Sequence, residues 1–245
     1  MTPITTVIFD MYETLVQNPH SLWRVGFEGI IQEQSLDTNP DLLWQEWAPG
    51  EAEFRQSRVK PGVPFRNYFQ AWRDCFIRAF DNLELHGDPD AASSSFIRYI
   101  SRREPYPETV EALNAVQTNW RIALLSNADD DYLLPNLELL GVDFEVVISS
   151  ENARIYKPLP ELFRKMLNKL NVTPEESVYV GDRQLEDVQG PAEVGIHPVW
   201  INRTASPAHP DLPIPAYQIS SLLELPGLLE NWLSTGDRRM VGNES

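Results

Sequence analysis

The chain has 245 residues, 42% of them apolar, and carries a formal net charge of −16 from 20 Lys and Arg against 36 Asp and Glu. That length suits one large domain, or a core with an insertion, and the apolar share excludes a disordered chain. A field of this sign repels phosphate backbones and anionic membranes, so nucleic-acid and membrane partners are not expected, and an anionic small-molecule substrate needs local positive charge to bind.

The first predicted element is a short apolar strand, Val7-Ile8-Phe9, ending in Asp10 and followed by Met11-Tyr12-Glu13-Thr14-Leu15. Ligands of open parallel sheets lie just beyond the carboxyl ends of strands. An aspartate there is placed to attack phosphorus or carbon and form an ester that water later cleaves. Aspartate also favours turns, and taken alone Asp10 fits either role.

From Val16 to Arg103 the pattern is helical, with apolar spacings of three and four over 21–34, 41–56, 65–82 and 90–101. Pro40, Pro61-Gly62 and Pro89 punctuate the joins. Trp23, Trp44, Trp47 and Trp72 fall in this stretch and are assigned to the core of a small bundle. Its Cys75 is the single cysteine of the chain, a buried small hydrophobe with no disulfide partner.

From Tyr106 strand and helix alternate, the sign of a parallel α/β sheet. The spacing predicts a helix over 107–117, a strand over 121–125 leading to Ser126-Asn127, and a helix over 129–140 stopped by Gly141. A strand over 144–148 follows, then a helix over 158–170 and a strand over 177–180 ending in Gly181-Asp182. A helix over 185–194, strands over 198–201 and 217–219, and a helix over 221–233 complete the series, with a polar frayed tail over 234–245. The expected fold is a doubly wound parallel sheet formed by residues 1–15 and 104–234, with an all-helical cap inserted over 16–103. There is no signal-peptide pattern and no apolar run near the ~20 residues of a membrane span, so a cytoplasmic location is expected.

Asp10, Ser126, Lys157 and Asp182 all follow strands of one parallel sheet, which brings their ends to the same side. The segments "FDMYETL", "LLSNA", "YKP" and "VGDRQLED", in this order, resemble the four motifs of the haloacid dehalogenase-like (HAD) hydrolases, whose first is DxDx[TV] and fourth GDxxxxD. The resemblance covers core and cap. It implies that Asp10 is the nucleophile, Ser126 binds the transferring group and Lys157 neutralises both, with Thr14 and Asn127 in the catalytic set. It further implies that Mg²⁺ is held by Asp10, Asp182, Asp187 and the backbone carbonyl of Tyr12. Mg²⁺ needs only one or two such carboxylates, since it keeps several waters.

One position departs from the phosphatase pattern. Members of that group carry a second aspartate as general acid and base where this chain has Tyr12, and a phenol of pKa ~10 is a poor base. Glu13 or a water is a candidate substitute. Tyrosine at this place resembles the 2-haloacid dehalogenases, whose motif is DxYGT and which use no metal. Against that branch stand the acidic fourth motif and the second cap helix, "NPDLLWQEW", which lacks the arginine that cradles halide and carboxylate in that branch. Arg24, Arg55 and Arg58 are possible replacements, and "VWINRT" occurs in both groups. The expectation is a magnesium-dependent hydrolase of a small phosphate monoester, monomeric or homodimeric. Its rivals are a metal-free dehalogenase and a binding protein with little turnover.

Overall fold

A computed structural model describes residues 2–235. Strand β1 (Thr6–Phe9) leads into four helices, α1 (His20–Gln34), α2 (Pro40–Ser57), α3 (Tyr68–Asn82) and α4 (Pro89–Ile100). The chain then returns through α5 (Thr109–Gln117), β2 (Arg121–Ser126), α6 (Asp130–Leu140), β3 (Val146–Ser149), α7 (Ser150–Ala153) and α8 (Pro160–Leu170). Next come β4 (Ser177–Gly181), a π-helical turn at Gln184–Gln189, α9 (Gly190–Ala192), β5 (His197–Ile201), β6 (Gln218–Ile219) and α10 (Leu225–Thr235). The six strands form one sheet in the order β3-β2-β1-β4-β5-β6, and every pairing is parallel. This is the doubly wound α/β fold expected. Among the described residues no helix is long and apolar enough to cross a membrane.

Alternation along the strands splits the core into two layers. Val7, Phe9, Ile122, Leu124, Val178 and Val180 face the larger layer. Ile8, Ala123, Leu125 and Tyr179 face the other, against Leu162, Phe163 and Met166 of α8. Phe9 pairs with Leu124 on one side and Val180 on the other, so Asp10 leaves the sheet between β2 and β4.

The four inserted helices are started by local chemistry. Asn39 accepts from the amides of Asp41 and Leu42, Asn67 forms a capping box with Gln70, and Asp88 accepts from Asp90 and Ala91. The Asn67 box sets the start of α3 at Tyr68, three residues later than periodicity placed it. Trp23, Phe27, Trp47, Trp72, Phe76 and Phe96 meet inside, with ring centroids such as 5.3 Å for Trp23–Phe96 and 5.5 Å for Phe27–Trp47. Gly29 lets α1 approach α4, since a Cβ there would sit 2.1 Å from the Tyr99 ring. Cys75 is buried, as expected, and burial pushes its thiol up to about 12. The way into and out of the insertion runs as a paired ribbon, with Gln17 N donating to Glu104 O and Tyr106 N to Leu15 O.

Several boundaries shift. Strand β3 starts at Val146 rather than Phe144, and α5 at Thr109 rather than Pro107. Helix α8 starts at Pro160 rather than Pro158, after a turn in which Leu159 N donates to Tyr156 O. The helix expected over 185–194 is the π-helical turn followed by α9. The last helix opens with a 3₁₀ turn at Leu222–Glu224 and runs to Thr235, and the rest of the expected tail lies outside the described residues.

Candidate active site

Asp10 is held where β1 ends. Its amide donates to Val180 O at 2.9 Å, and the loop beyond folds back through Leu15 N and Val16 N on Met11 O. Its Oδ1 accepts from Ser126 Oγ at 2.9 Å and from Lys157 Nζ at 2.8 Å. Ser126 is the last residue of β2, next to β1, so its hydroxyl needs no long reach.

Lys157 is 2% exposed, and a buried ammonium must be paired. It is paired three times: with Asp10, with Asp187 Oδ1 at 2.6 Å and with Tyr179 OH at 2.9 Å. Burial alone would lower its pKa, but the charges of Asp10 and Asp187 outweigh that and hold it well above its ordinary value. The backbone of Lys157 is clamped by Asn127, whose Oδ1 accepts from Lys157 N at 2.8 Å and whose Nδ2 donates to Lys157 O at 3.2 Å. Both ends of the Asn127 amide therefore hold the lysine loop, and Asn127 also lines the cavity.

Gly181 and Asp182 follow at the end of β4. A Cβ on Gly181 would lie 2.4 Å from Asp187 Cγ, so only glycine lets the turn bring Asp187 back under Lys157. The π-helical turn completes the return, and Arg183 N donates to Asp187 Oδ2 at 2.9 Å. Trp200 Nε1 fixes the backbone of Asp182 through its carbonyl at 2.7 Å.

Asp10, Asp182 and Asp187 each offer a carboxylate oxygen within 4.8 Å of the others. One ammonium among three carboxylates leaves an excess of buried negative charge. Burial and the charges of Asp187 and Asp10 push Asp182 well above the carboxylate range. Burial likewise pushes Asp187 up to about 6, against the pull of Lys157. A hard divalent cation would reverse both effects, and an all-oxygen donor set of this kind fits Mg²⁺. Asp187, 0% exposed with both oxygens already bonded, fits a supporting place better than a direct one.

The loop after Asp10 differs from the expectation in two places. Thr14 is buried outside the cavity wall, and its hydroxyl has no hydrogen-bond partner among the described residues, so the structure does not bring it to the other site residues. Glu13 lines the cavity at a positive φ of 58°, but its carboxylate is taken by Asn18 N at 2.6 Å and Tyr106 OH at 2.7 Å. Tyr12 OH donates to Tyr132 O at 3.3 Å. Burial raises the Tyr12 phenol far above its usual range, so it stays neutral.

Asp10, Tyr12, Glu13, Ser126, Asn127, Lys157 and Asp182 share one cavity with Trp23, Arg55, Arg58, Tyr68, Trp72 and Arg103 from the inserted helices and their return. Of the three arginines raised as replacements, Arg55 and Arg58 line it. Arg24 does not, being paired with Glu28 at 3.3 Å and with Asp41 on an exposed face. Arg58 is bound to Glu186 at 2.9 Å and to Tyr68 OH, tying the end of α2 to the π-helical turn. Arg103 escaped the sequence reading. Its guanidinium lies 4.7 Å above the Tyr12 ring, and the available signal was that entry and exit of an insertion must sit side by side.

Residues 4–195 match the haloacid dehalogenase-like hydrolase family. The chain is 40% identical over 240 residues to glyceraldehyde 3-phosphate phosphatase of Pyrococcus furiosus, covering 94% of this chain and 93% of that one. It is 26% identical over 234 residues to (S)-2-haloacid dehalogenase 1 of a Pseudomonas species, covering 94% and 98%. A match to N-acylneuraminate-9-phosphatase of Homo sapiens, 34% identical, covers 51% of this chain and spans about half of that protein's length, 52%. The fold is shared with a Bacillus subtilis HAD hydrolase, YfnB, solved with magnesium, at a TM-score of 0.76 and 16% identity, covering 93% and 99%. The chain belongs to the haloacid dehalogenase-like hydrolases.

Proposed function

We propose that this hydrolase is a magnesium-dependent phosphatase acting on a small phosphate monoester through Asp10. The observation that carries the reading is the convergence of Asp10, Asp182 and Asp187 with a single ammonium among them. A metal-free halide displacement has no use for that excess of negative charge. Bound by Asp10, Asp182 and the Tyr12 carbonyl, with Asp187 behind, Mg²⁺ would supply the positive charge that lets a carboxylate meet a phosphate.

Ser126 and Lys157 hold Oδ1 of Asp10 and so aim Oδ2. Oδ2 forms a bond to phosphorus as the bond from phosphorus to the ester oxygen breaks, and the alcohol leaves. Water then attacks phosphorus, inorganic phosphate departs and the carboxylate is restored. Lys157 and the Ser126 hydroxyl stabilise the charge that builds on the phosphoryl oxygens. Tyr12, kept neutral by burial, neither takes a proton from water nor gives one readily, so both proton transfers fall to solvent and good leaving groups are favoured.

Tyr12 is also the one feature that favours the metal-free dehalogenase reading, because halide leaves without a proton. Release of inorganic phosphate from p-nitrophenyl phosphate and of chloride from 2-chloropropionate, each with Mg²⁺ and with EDTA, separates the readings. The expected result is phosphate release that EDTA abolishes. Chloride release in EDTA with no phosphate release in Mg²⁺ would transfer the assignment to the dehalogenase. Retained biological activity in Asp10→Asn would favour a binding protein.

A further inference from the structure

The cavity that holds Asp10 also has hydrogen-bond donors in its wall. Arg58, Trp72 and Arg103 all line it. Each is at most 8% exposed, and each keeps one buried nitrogen without a partner: Arg58 Nε, Trp72 Nε1 and Arg103 Nη1. Arg55 lines the same cavity but is ion-paired with Glu51. The carboxylate that acts on the charge of Arg103 is Glu13, itself bonded to Asn18 N and Tyr106 OH, and the other contacts of Arg103 hold it still. Its Nε donates to Ile100 O at 3.0 Å, its amide donates to Asn136 Oδ1 at 2.7 Å, and its guanidinium plane lies over Tyr12. Arg58 differs in being paired directly with Glu186, whereas Arg103 makes no direct ion pair among the described residues.

Buried polar groups in folded proteins find partners, and three orphans around one cavity, all of them donors, call for a ligand rich in acceptors. A planar carboxylate matches a guanidinium fork and can take the indole N–H as well. We infer that the substrate carries a carboxylate on the part that does not react, bound by Arg103 and the Trp72 N–H. This rests on the phosphatase reading and narrows it to carboxylated phosphate monoesters. Arg103 and Trp72 then set specificity, while Asp10 does the chemistry.

The test compares 3-phosphoglycerate with glycerol 3-phosphate, both esters of primary alcohols, which differ by carboxylate against hydroxymethyl. The wild-type protein with Mg²⁺ is expected to prefer the carboxylated ester by about 30-fold or more in kcat/KM, as lost hydrogen bonds to a charged group typically cost. In Arg103→Gln that preference falls at least about 10-fold, mainly through KM, and Arg103→Lys recovers part of it. Trp72→Phe removes one N–H and little volume, so it carries the test should Arg103→Gln fail to fold, and its preference falls about 3- to 10-fold. Equal use of the two esters by wild type, or a preference unchanged in both Arg103→Gln and Trp72→Phe, overturns the inference and leaves the phosphatase reading standing. No phosphate from either ester or from p-nitrophenyl phosphate overturns both.

Discussion

Tyr12 and Gly181 are the two residues whose replacement says most about the chemistry. Tyr12 lines the cavity two positions after Asp10, with Arg103 4.7 Å above its ring to stabilise a carboxylate placed there. Tyr12→Asp should therefore raise turnover of alkyl phosphates by about 100-fold, the usual gain from a positioned acid and base, while aryl phosphates gain less. Steady-state kinetics on ethyl and p-nitrophenyl phosphate measures it, and an equal change in both would mean that proton transfer is not limiting. Gly181→Ala would press a methyl group into Asp187, displacing the carboxylate that anchors Lys157. Turnover should fall at least about 10-fold while thermal unfolding shows a folded protein, because misplacing an oriented group by an ångström is costly. At this scale the sequence was informative for residues that end strands, such as Asp10, Ser126 and Asp182. It was silent on Arg103 and on the turning of Asn127 toward the lysine loop, which depend on side-chain directions no spacing encodes. Thr14 came with the motif and stands apart from the cavity.

Asp129 joins two elements. It precedes α6, and its carboxyl oxygens accept from the amides of Tyr68 and Phe69 at the start of α3, each at 2.8 Å. Burial pushes its pKa up to about 7 despite those two N–H groups, and Glu151 and Asp131 add to the rise. A carboxyl whose native pKa exceeds its unfolded value binds the extra proton in the native state. Its contribution to stability is therefore full below about pH 4 and is lost as pH rises through about 7. The stability of wild type relative to Asp129→Asn should fall across that window, by no more than about 1.4 kcal/mol per pH unit. Urea unfolding at pH 5, 6, 7 and 8 reads it, and a difference that grows with pH would contradict the assignment. Element boundaries were legible where caps or periodicity marked them, as at Gly141 and along the amphipathic α8. They were lost where a turn replaced a helix: the π-helical turn after Asp182 repeats no periodic pattern, because its purpose is to return Asp187 to Lys157.

The whole molecule places Asp10 at the end of a strand of a parallel sheet and covers it with helices that enter and leave through one paired ribbon. Alternating strand and helix made that core readable, and the unbroken helical stretch marked the insertion. Which inserted side chains share the cavity with Asp10 was not readable, because helical periodicity fixes a buried face without saying which end of the bundle sits on the sheet. Closure rests on Arg58 with Glu186, Asn67 Nδ2 with Glu151 at 2.6 Å, and Tyr156 OH with Arg66 O at 2.8 Å. All of this matters for function only if the acidic cluster works with a divalent cation. The direct measurement is phosphate release by wild type and Asp182→Ala across a Mg²⁺ titration, with Mg²⁺ affinity read by calorimetry on the same samples. The account predicts saturable activation of wild type, and in the variant weaker binding with a rate about 100-fold or more lower. Wild-type rates in Asp182→Ala, unaffected by EDTA, would contradict it.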